Sequence, residues 1–253
     1  MLHDVRDELR QQLKALEKPA GLEDGPHALP FGIAAIDDIL GGGLPRGALH
    51  EIAAPAENHI AAATGFTLGL IPAAAHVVWV AEDMARLESG LPYGPGLDAF
   101  KLVPERLLTV AVSQTRDLLW TMEEALRCRA VTAVIGELRQ GALDAVAVRR
   151  LSLAAAESGA LALLLRARPG RDASTAVTRW IAGAAPSAHP HSFDFGAPRF
   201  AVHLTRNRRG PTASWILEWS DTDERFVLAA PAVPVAEPAL DRPHRPAAAR
   251  HVA

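Results

Sequence analysis

The sequence predicts an α/β domain in which a mostly parallel sheet is flanked by helices. Residues 76–81, 131–136 and 161–166 are nearly continuous apolar runs. Such runs are typical of parallel strands, because helices cover these strands on both faces. Helical stretches alternate with the strand candidates, which is the pattern of a doubly wound sheet. Two strand candidates near the end of the chain predict an additional β-hairpin or meander.

The elements follow one another in a regular order along the chain. The strand candidates are Ala48–Ala53, His76–Ala81, Leu107–Val112, Val131–Gly136, Leu161–Arg166 and Phe200–Thr205. The helix candidates between them are Asn58–Ile71, Thr115–Arg129 and Ala142–Ser158. The segment RNRRGPTA then separates Phe200–Thr205 from Ser214–Trp219, and its Gly-Pro pair predicts the turn of the hairpin.

The chain divides into four parts. Residues 1–18 predict an amphipathic helix, 19–28 a linker, 29–228 the core domain, and 229–253 a disordered tail rich in Pro and Ala. The apolar stripe of the helix has spacings of 3, 4, 4 and 3 residues and consists of Leu2, Val5, Leu9, Leu13 and Leu16. A helix of this length needs a surface to bury its stripe. That surface is either the protein's own core or a partner or neighbouring subunit, which includes self-association.

The composition indicates the cellular compartment and limits the classes of partner that are expected. The formal net charge of -3 gives no global attraction to nucleic acid. The single Cys128 and the charged first residues fit a cytoplasmic protein without a disulfide framework. The uncharged stretch Ile60–Ala81 is long enough to span a bilayer, but Pro72 splits it into a helix and a buried strand. No membrane association is therefore expected.

The most specific motif lies at residues 32–55, GIAAIDDILGGGLPRGALHEIAAP. It resembles the entry to the ATP-binding core of RecA-family proteins. In that family an Asp precedes Leu-Gly-Gly-Gly-Leu-Pro-x-Gly, and a strand ending in Glu-Ile-x-Gly-Pro follows. The matching residues are Asp38, Leu40, Gly41, Gly42, Gly43, Leu44, Pro45, Gly47, Glu51, Ile52 and Pro55. The resemblance implies a RecA-like fold over roughly residues 30–220.

The phosphate-binding loop should follow this motif, and its chemistry is missing. A working loop uses glycine backbone N–H groups, a Lys and a Ser or Thr to hold phosphates and Mg²⁺. Here the segment from Ala54 to Ala61 reads APAENHIA, with Ile60 at the Lys position and Ala61 at the Mg²⁺ position. We call this segment the remnant loop, and its distinctive residues are Ala54, Pro55, Glu57, His59, Ile60 and Ala61. Because each lost charged hydrogen bond costs ~1.5–3 kcal/mol, neither nucleotide binding nor catalysis is expected. No cofactor or metal site is expected either.

Two acidic residues keep the places of RecA-family landmarks. Glu82 follows the strand HVVWVA, where the family carries its water-activating Glu, and Glu137 lies at the acidic position of the Walker B strand. Without a nucleotide these acids have no substrate, so we interpret them as strand-end carboxylates that point to solvent.

The sequence offers little for a RecA-style DNA channel. The connections corresponding to the two DNA-binding loops, 138–143 and 167–175, are both short. A basic cluster remains at Arg206, Arg208 and Arg209 on the turn of the predicted hairpin. It is either a solvated turn or a contact for phosphate or an acidic partner.

The shortened RecA-like core with a degenerate loop resembles the ImuA family of bacterial mutagenesis proteins. The C-terminal part supports this, with Trp180 after an Arg-rich helix start, then LTRNRRG at 204–210 and WILEW at 215–219. The resemblance implies a role in the SOS response to DNA damage and in error-prone translesion synthesis. It implies contacts with ImuB (an inactive relative of Y-family polymerases), an error-prone polymerase subunit or RecA.

Two alternatives from other classes remain open. The first is a SulA-like inhibitor of cell division, which is also a RecA-like remnant made in the SOS response. The second is a RecA- or KaiC-type ATPase, which the degenerate loop disfavours.

Overall fold

A computed structural model describes four stretches of the chain. They are residues 28–139, 143–170, 174–186 and 196–230. The predicted N-terminal helix with its apolar stripe, the linker up to residue 27 and the tail from residue 231 lie outside the described residues. Ala28, at the end of the predicted linker, already belongs to a strand.

The described residues form eleven strands and six α-helices. The strands are β1 Ala28–Leu29, β2 Leu44–Pro45, β3 Ala48–Ala53, β4 Val77–Glu82, β5 Leu107–Val112, β6 Ala133–Leu138, β7 Leu161–Arg166, β8 Thr178–Ala184, β9 Arg199–Asn207, β10 Ala213–Ser220 and β11 Arg225–Leu228. The α-helices are α1 Ala34–Leu40, α2 Ile60–Gly69, α3 Asp83–Ser89, α4 Gly94–Ala99, α5 Thr115–Leu126 and α6 Ala145–Ser158.

Nine of these strands form one sheet in the order β11-β10-β9-β8-β3-β7-β6-β4-β5. The strands from β8 through β3 to β5 pair in parallel. The strands β8 to β11 then pair antiparallel in sequence order. The predicted parallel sheet with a C-terminal meander is therefore confirmed, and the meander is larger than a single hairpin.

The helices divide between the two faces of the sheet. On one face α2 packs into a core that contains Phe66, Trp180 and Phe200. On the other face α5 and α6 pack through residues such as Leu118, Met122 and Leu151. The apolar runs in β4, β6 and β7 are buried because they contribute side chains to both cores.

Several predicted boundaries shift and one predicted element type is wrong. The strand predicted from Val131 begins two residues later, at Ala133, and the helix predicted from Asn58 begins after a 3-10 turn at Glu57–His59. The helix start expected before Trp180 is wrong. Trp180 lies in β8, which pairs with the central strand β3.

The glycine-rich motif connects α1 to β2 and depends on its glycines. Gly41 ends α1 in the left-handed conformation with φ 73°, and Gly43 has φ 131°. A Cβ atom on Gly43 would lie 2.5 Å from the carbonyl oxygen of Leu29 in the paired strand β1. Only glycine therefore fits this position, which explains why the motif survives where the phosphate-binding chemistry is lost.

Candidate functional site: the remnant loop and an adjoining groove

The remnant loop connects the central strand β3 to the start of α2, where a RecA-like protein binds phosphates. Its eight residues contain no glycine, and Ala54 is fully buried with its N–H bonded to the carbonyl of Arg166 at 3.0 Å. A phosphate cradle requires several backbone N–H groups that face an open space. Here the first residue of the segment belongs to the core, and Pro55 to Asn58 are exposed without a glycine among them.

Two side chains of the remnant loop, Pro55 and His59, contact strand β8. The His59 ring accepts a hydrogen bond at Nδ1 from the backbone N–H of Ala184 at 3.1 Å. Pro55 and His59 both lie against Gly183, where an added Cβ would be 3.0 Å from the proline ring. These contacts attach the loop to β8, so it is held by the neighbouring strand.

The negative charge of Glu57 is balanced locally. Its carboxylate lies 3.1 Å from the guanidinium of Arg168, and both side chains are exposed. An exposed pair of this kind contributes little to stability. Because the two charges are paired, this part of the loop offers no free cation to a phosphate in place of the missing Lys.

The two remnant acids do not point to solvent, so that interpretation is wrong. Glu82 is buried and accepts hydrogen bonds from the Thr115 hydroxyl at 2.7 Å and from the Arg139 backbone N–H at 3.1 Å. Glu137 accepts from the Trp79 indole at 3.1 Å and from the Arg139 guanidinium at 2.9 Å. Burial raises the pKa of Glu137, while Arg139 and the indole oppose that shift.

Arg139 directly follows strand β6 and connects these acids to α3. Its side chain is buried, and it bonds Glu137 and the Ser89 hydroxyl at the end of α3. The acids that would act on Mg²⁺ and water in an ATPase are therefore internal partners of an arginine and a tryptophan. The cluster stabilises the junction of β4, β6 and α3.

Next to this cluster, α2 and the α3–α4 segment enclose an apolar groove with a volume of about 440 Å³. Ile60 and Ala61, the residues at the Lys and Mg²⁺ positions, form part of its wall. We call it the α2–α4 groove. Its other apolar lining residues include Leu68, Trp79, Leu91, Pro92, Tyr93, Leu97 and Phe100, and the paired side chains of Glu137 and Arg139 also line it. Leu91 is 60% exposed and Tyr93 is 74% exposed, so the rim of the groove is open to solvent.

Comparison with known proteins identifies the family. Two curated relatives, both named Protein ImuA and both from strains of Caulobacter vibrioides, are 34% identical to this chain over 218 residues. The match covers 79% of this chain and 86% of each relative. The chain belongs to the ImuA family.

The fold comparison agrees with this assignment. A crystal structure of the RadB recombinase superposes with a TM-score of 0.53 at 14% identity, and the match covers 78% of this ImuA-family chain and 98% of RadB. At this identity the likeness establishes a RecA-like fold and nothing more. No protein-family profile matches the chain.

In this ImuA-family chain the basic cluster is smaller than its sequence suggests. Only Arg208 is exposed, whereas Arg206 and Arg209 are half-buried. Arg206 donates a hydrogen bond to the carbonyl of Ser174 at 2.9 Å, and Arg209 lies beside Gly41. Arg206 and Arg209 therefore contact the domain itself, and Arg208 projects to solvent.

Sequence reasoning missed Arg139, Trp79 and the apolar wall between α3 and α4. A tryptophan inside a buried strand and an arginine directly after another strand were available signals, since both side chains need polar partners. Neither signal shows which carboxylate the side chain bonds. Within the described stretches, no cluster of three metal-binding side chains occurs, and no helix has the length and apolar character to cross a membrane.

Proposed function

We propose that this ImuA-family chain is a non-catalytic RecA-like binding module of a DNA-damage-induced mutagenesis assembly. In this role it supports error-prone translesion synthesis in the cytoplasm, through contacts with an ImuB-type Y-family polymerase homologue, an error-prone polymerase subunit or RecA. Weak contact with DNA phosphate through Arg208 is part of the proposal.

The observation that carries the proposal is the change at the phosphate site. Ile60 and Ala61 line an apolar groove, the loop contains no glycine, and His59 is bonded to Ala184. The two acids beside the groove are bonded to Thr115, Trp79 and Arg139. This arrangement favours an apolar ligand over a triphosphate, which supports a binding role.

A nucleotide titration tests the non-catalytic part. Purified protein titrated with a fluorescent ATP analogue and Mg²⁺ is expected to show no saturable signal up to about 1 mM, which corresponds to only about 4 kcal/mol of binding. An active RecA protein serves as the positive control. Saturable binding with a dissociation constant of about 10 μM would show that a functional nucleotide site exists.

A capture experiment tests the partner role against the division-inhibitor alternative. The tagged chain is offered ImuB and the tubulin-like division protein at equal concentrations. Retention of ImuB is expected. Retention of the division protein without ImuB would favour the SulA-like function.

A further inference from the structure

The α2–α4 groove has the properties of a docking site for an apolar helix. Most of its lining side chains belong to α2 and to residues 89–100, and β4 and the end of β6 contribute Trp79, Glu137 and Arg139. Its rim residues Leu91 and Tyr93 are largely exposed. Leu87 on the adjacent helix α3 is also 80% exposed. Exposed apolar side chains grouped around a groove are typical of an interaction site.

The sequence supplies a matching occupant in residues 1–18. Five apolar residues lie along one predicted helical face, and the other positions are polar or charged. Such a helix docks by laying its apolar face into a groove, with contacts at spacings of 3 and 4 residues. The predicted helix is too short to be stable alone, so a groove is what it requires.

The position where the described chain begins brings this helix within reach. Leu29, Pro30 and Phe31 line a cleft together with Gly69 and Leu70, at the carboxyl end of α2. The α2–α4 groove begins beside this cleft, at Leu68, and follows the same helix to Ile60. Because α2 has ten residues, the far end of the groove is about 15 Å from the cleft.

The length of the linker matches this distance. Residues 19–27 form nine residues between the predicted helix and Ala28, and a flexible linker of that size has a root-mean-square length of about 15–18 Å. When the length of a linker matches the span, the effective concentration of the attached segment reaches the millimolar range. An attached helix then outcompetes the same helix on another molecule at micromolar protein concentration.

From these observations we infer that the apolar stripe of residues 1–18 docks in cis into the α2–α4 groove. Docking in cis requires only the purified chain, whichever partners the capture experiment identifies.

Disulfide trapping tests this docking. In a Cys128→Ser background, Tyr93→Cys on the rim is combined in turn with a cysteine at each of the five stripe positions. The control pairs combine the same stripe cysteines with Val146→Cys, which is 67% exposed and lies on α6 at the opposite face of the sheet. Oxidation at low protein concentration is followed by non-reducing electrophoresis and peptide mass spectrometry.

For at least one stripe position, an intrachain disulfide with Tyr93→Cys is expected. Its rate of formation should be about tenfold higher than that of the disulfide between the same stripe cysteine and Val146→Cys. Adding Leu9→Glu to a pair that retains Leu9 should reduce the rate to that of the control. Equal rates for the two target sites at all five positions would overturn the inference. A predominant interchain disulfide would also overturn it, because the groove would then be filled by a second copy. The nucleotide titration is a separate experiment, so either proposal can fail without the other.

Discussion

At the scale of single residues, the most constrained polar group is His50 in the central strand β3. It is fully buried, and its ring connects two parts of the fold. The Trp180 indole donates to the Thr178 hydroxyl at 2.8 Å, and the His50 Nδ1 atom lies 2.7 Å from the same hydroxyl. The His50 Nε2 atom lies 2.8 Å from the carbonyl of Pro45. Because that carbonyl only accepts, Nε2 carries the proton and Nδ1 accepts from Thr178, so the neutral ring is fully bonded.

This arrangement makes stability depend on pH. Burial lowers the pKa of His50 from 6.5 to about 4, the Pro45 carbonyl opposes the shift, and Arg209 adds to it. As the pH falls from 6.5 to about 4, the unfolded chain takes up a proton on His50 and the folded chain does not. The unfolded state therefore binds more protons, and the free energy of unfolding should fall by up to about 3 kcal/mol between pH 6.5 and 4.

Denaturant unfolding across pH 7 to 4 measures this effect. His50→Gln should lower stability at pH 7 but remove most of the slope between pH 6.5 and 4. His76 is exposed, and His76→Gln should leave the slope unchanged. If wild type and His50→Gln have parallel pH profiles, proton uptake by His50 does not govern acid stability.

At the scale of secondary-structure elements, the start of α1 depends on a carboxylate that the family motif did not identify. The motif match assigned Asp38, but Asp38 is exposed. Asp37 accepts hydrogen bonds from the backbone N–H groups of Phe31 at 2.8 Å and Gly32 at 3.0 Å. It thereby fixes the segment that leads from β1 into α1.

Asp37→Ala should therefore lower the free energy of unfolding by about 1.5–3 kcal/mol, because charge-assisted hydrogen bonds to two backbone donors are lost. Asp38→Ala is the matched control and should change stability by less than about 0.5 kcal/mol. Equilibrium urea unfolding of the two variants measures both values. If Asp38→Ala lowers the free energy of unfolding as much as Asp37→Ala does, Asp38 also stabilises the start of this motif.

The same scale shows what sequence could and could not predict. Strands β3, β5 and β7 were predicted with their observed bounds, because their apolar residues and flanking turns give strong local signals. Helices α3 and α4 were missed because six or seven residues are too few to show a period. The connection between them, with Leu91 and Tyr93, and Leu97 of α4 form the outer wall of the groove, so the groove could not be predicted from the sequence.

Strand β8 was missed for a different reason. It carries Arg179 beside Trp180, and an arginine beside the central strand of a sheet is costly unless it is paired. Its partner Glu51 lies 3.0 Å away in β3, and nothing in the sequence connects the two positions. The pairing of β8 with β3 is therefore accompanied by a tertiary ion pair, which the local sequence does not show.

At the scale of the whole molecule, β8 joins the parallel half of the sheet to the antiparallel half. It pairs in parallel with β3 and antiparallel with β9. It is also hydrogen-bonded to the remnant loop, through the Ala184 N–H and the His59 ring. The contact between Arg179 and Glu51 crosses this junction. The integrity of the sheet should therefore depend on charge balance there more than on any exposed ion pair.

Removing one partner of this buried pair tests that dependence. Glu51 has only 6% of its side chain exposed, so Arg179→Met leaves a buried carboxylate without this counter-charge and should cost about 3–5 kcal/mol. The double variant Glu51→Met with Arg179→Met places apolar side chains on both strands and should recover most of that loss. The control is Arg168→Met, which breaks the exposed contact with Glu57 and should change stability by less than about 1 kcal/mol. Thermal and urea unfolding of wild type, Glu51→Met, Arg179→Met and the double variant complete a double-mutant cycle for the buried pair. If the double variant is as unstable as the sum of the two single replacements, the pair is not coupled, and the junction between the two halves of the sheet is held by packing alone.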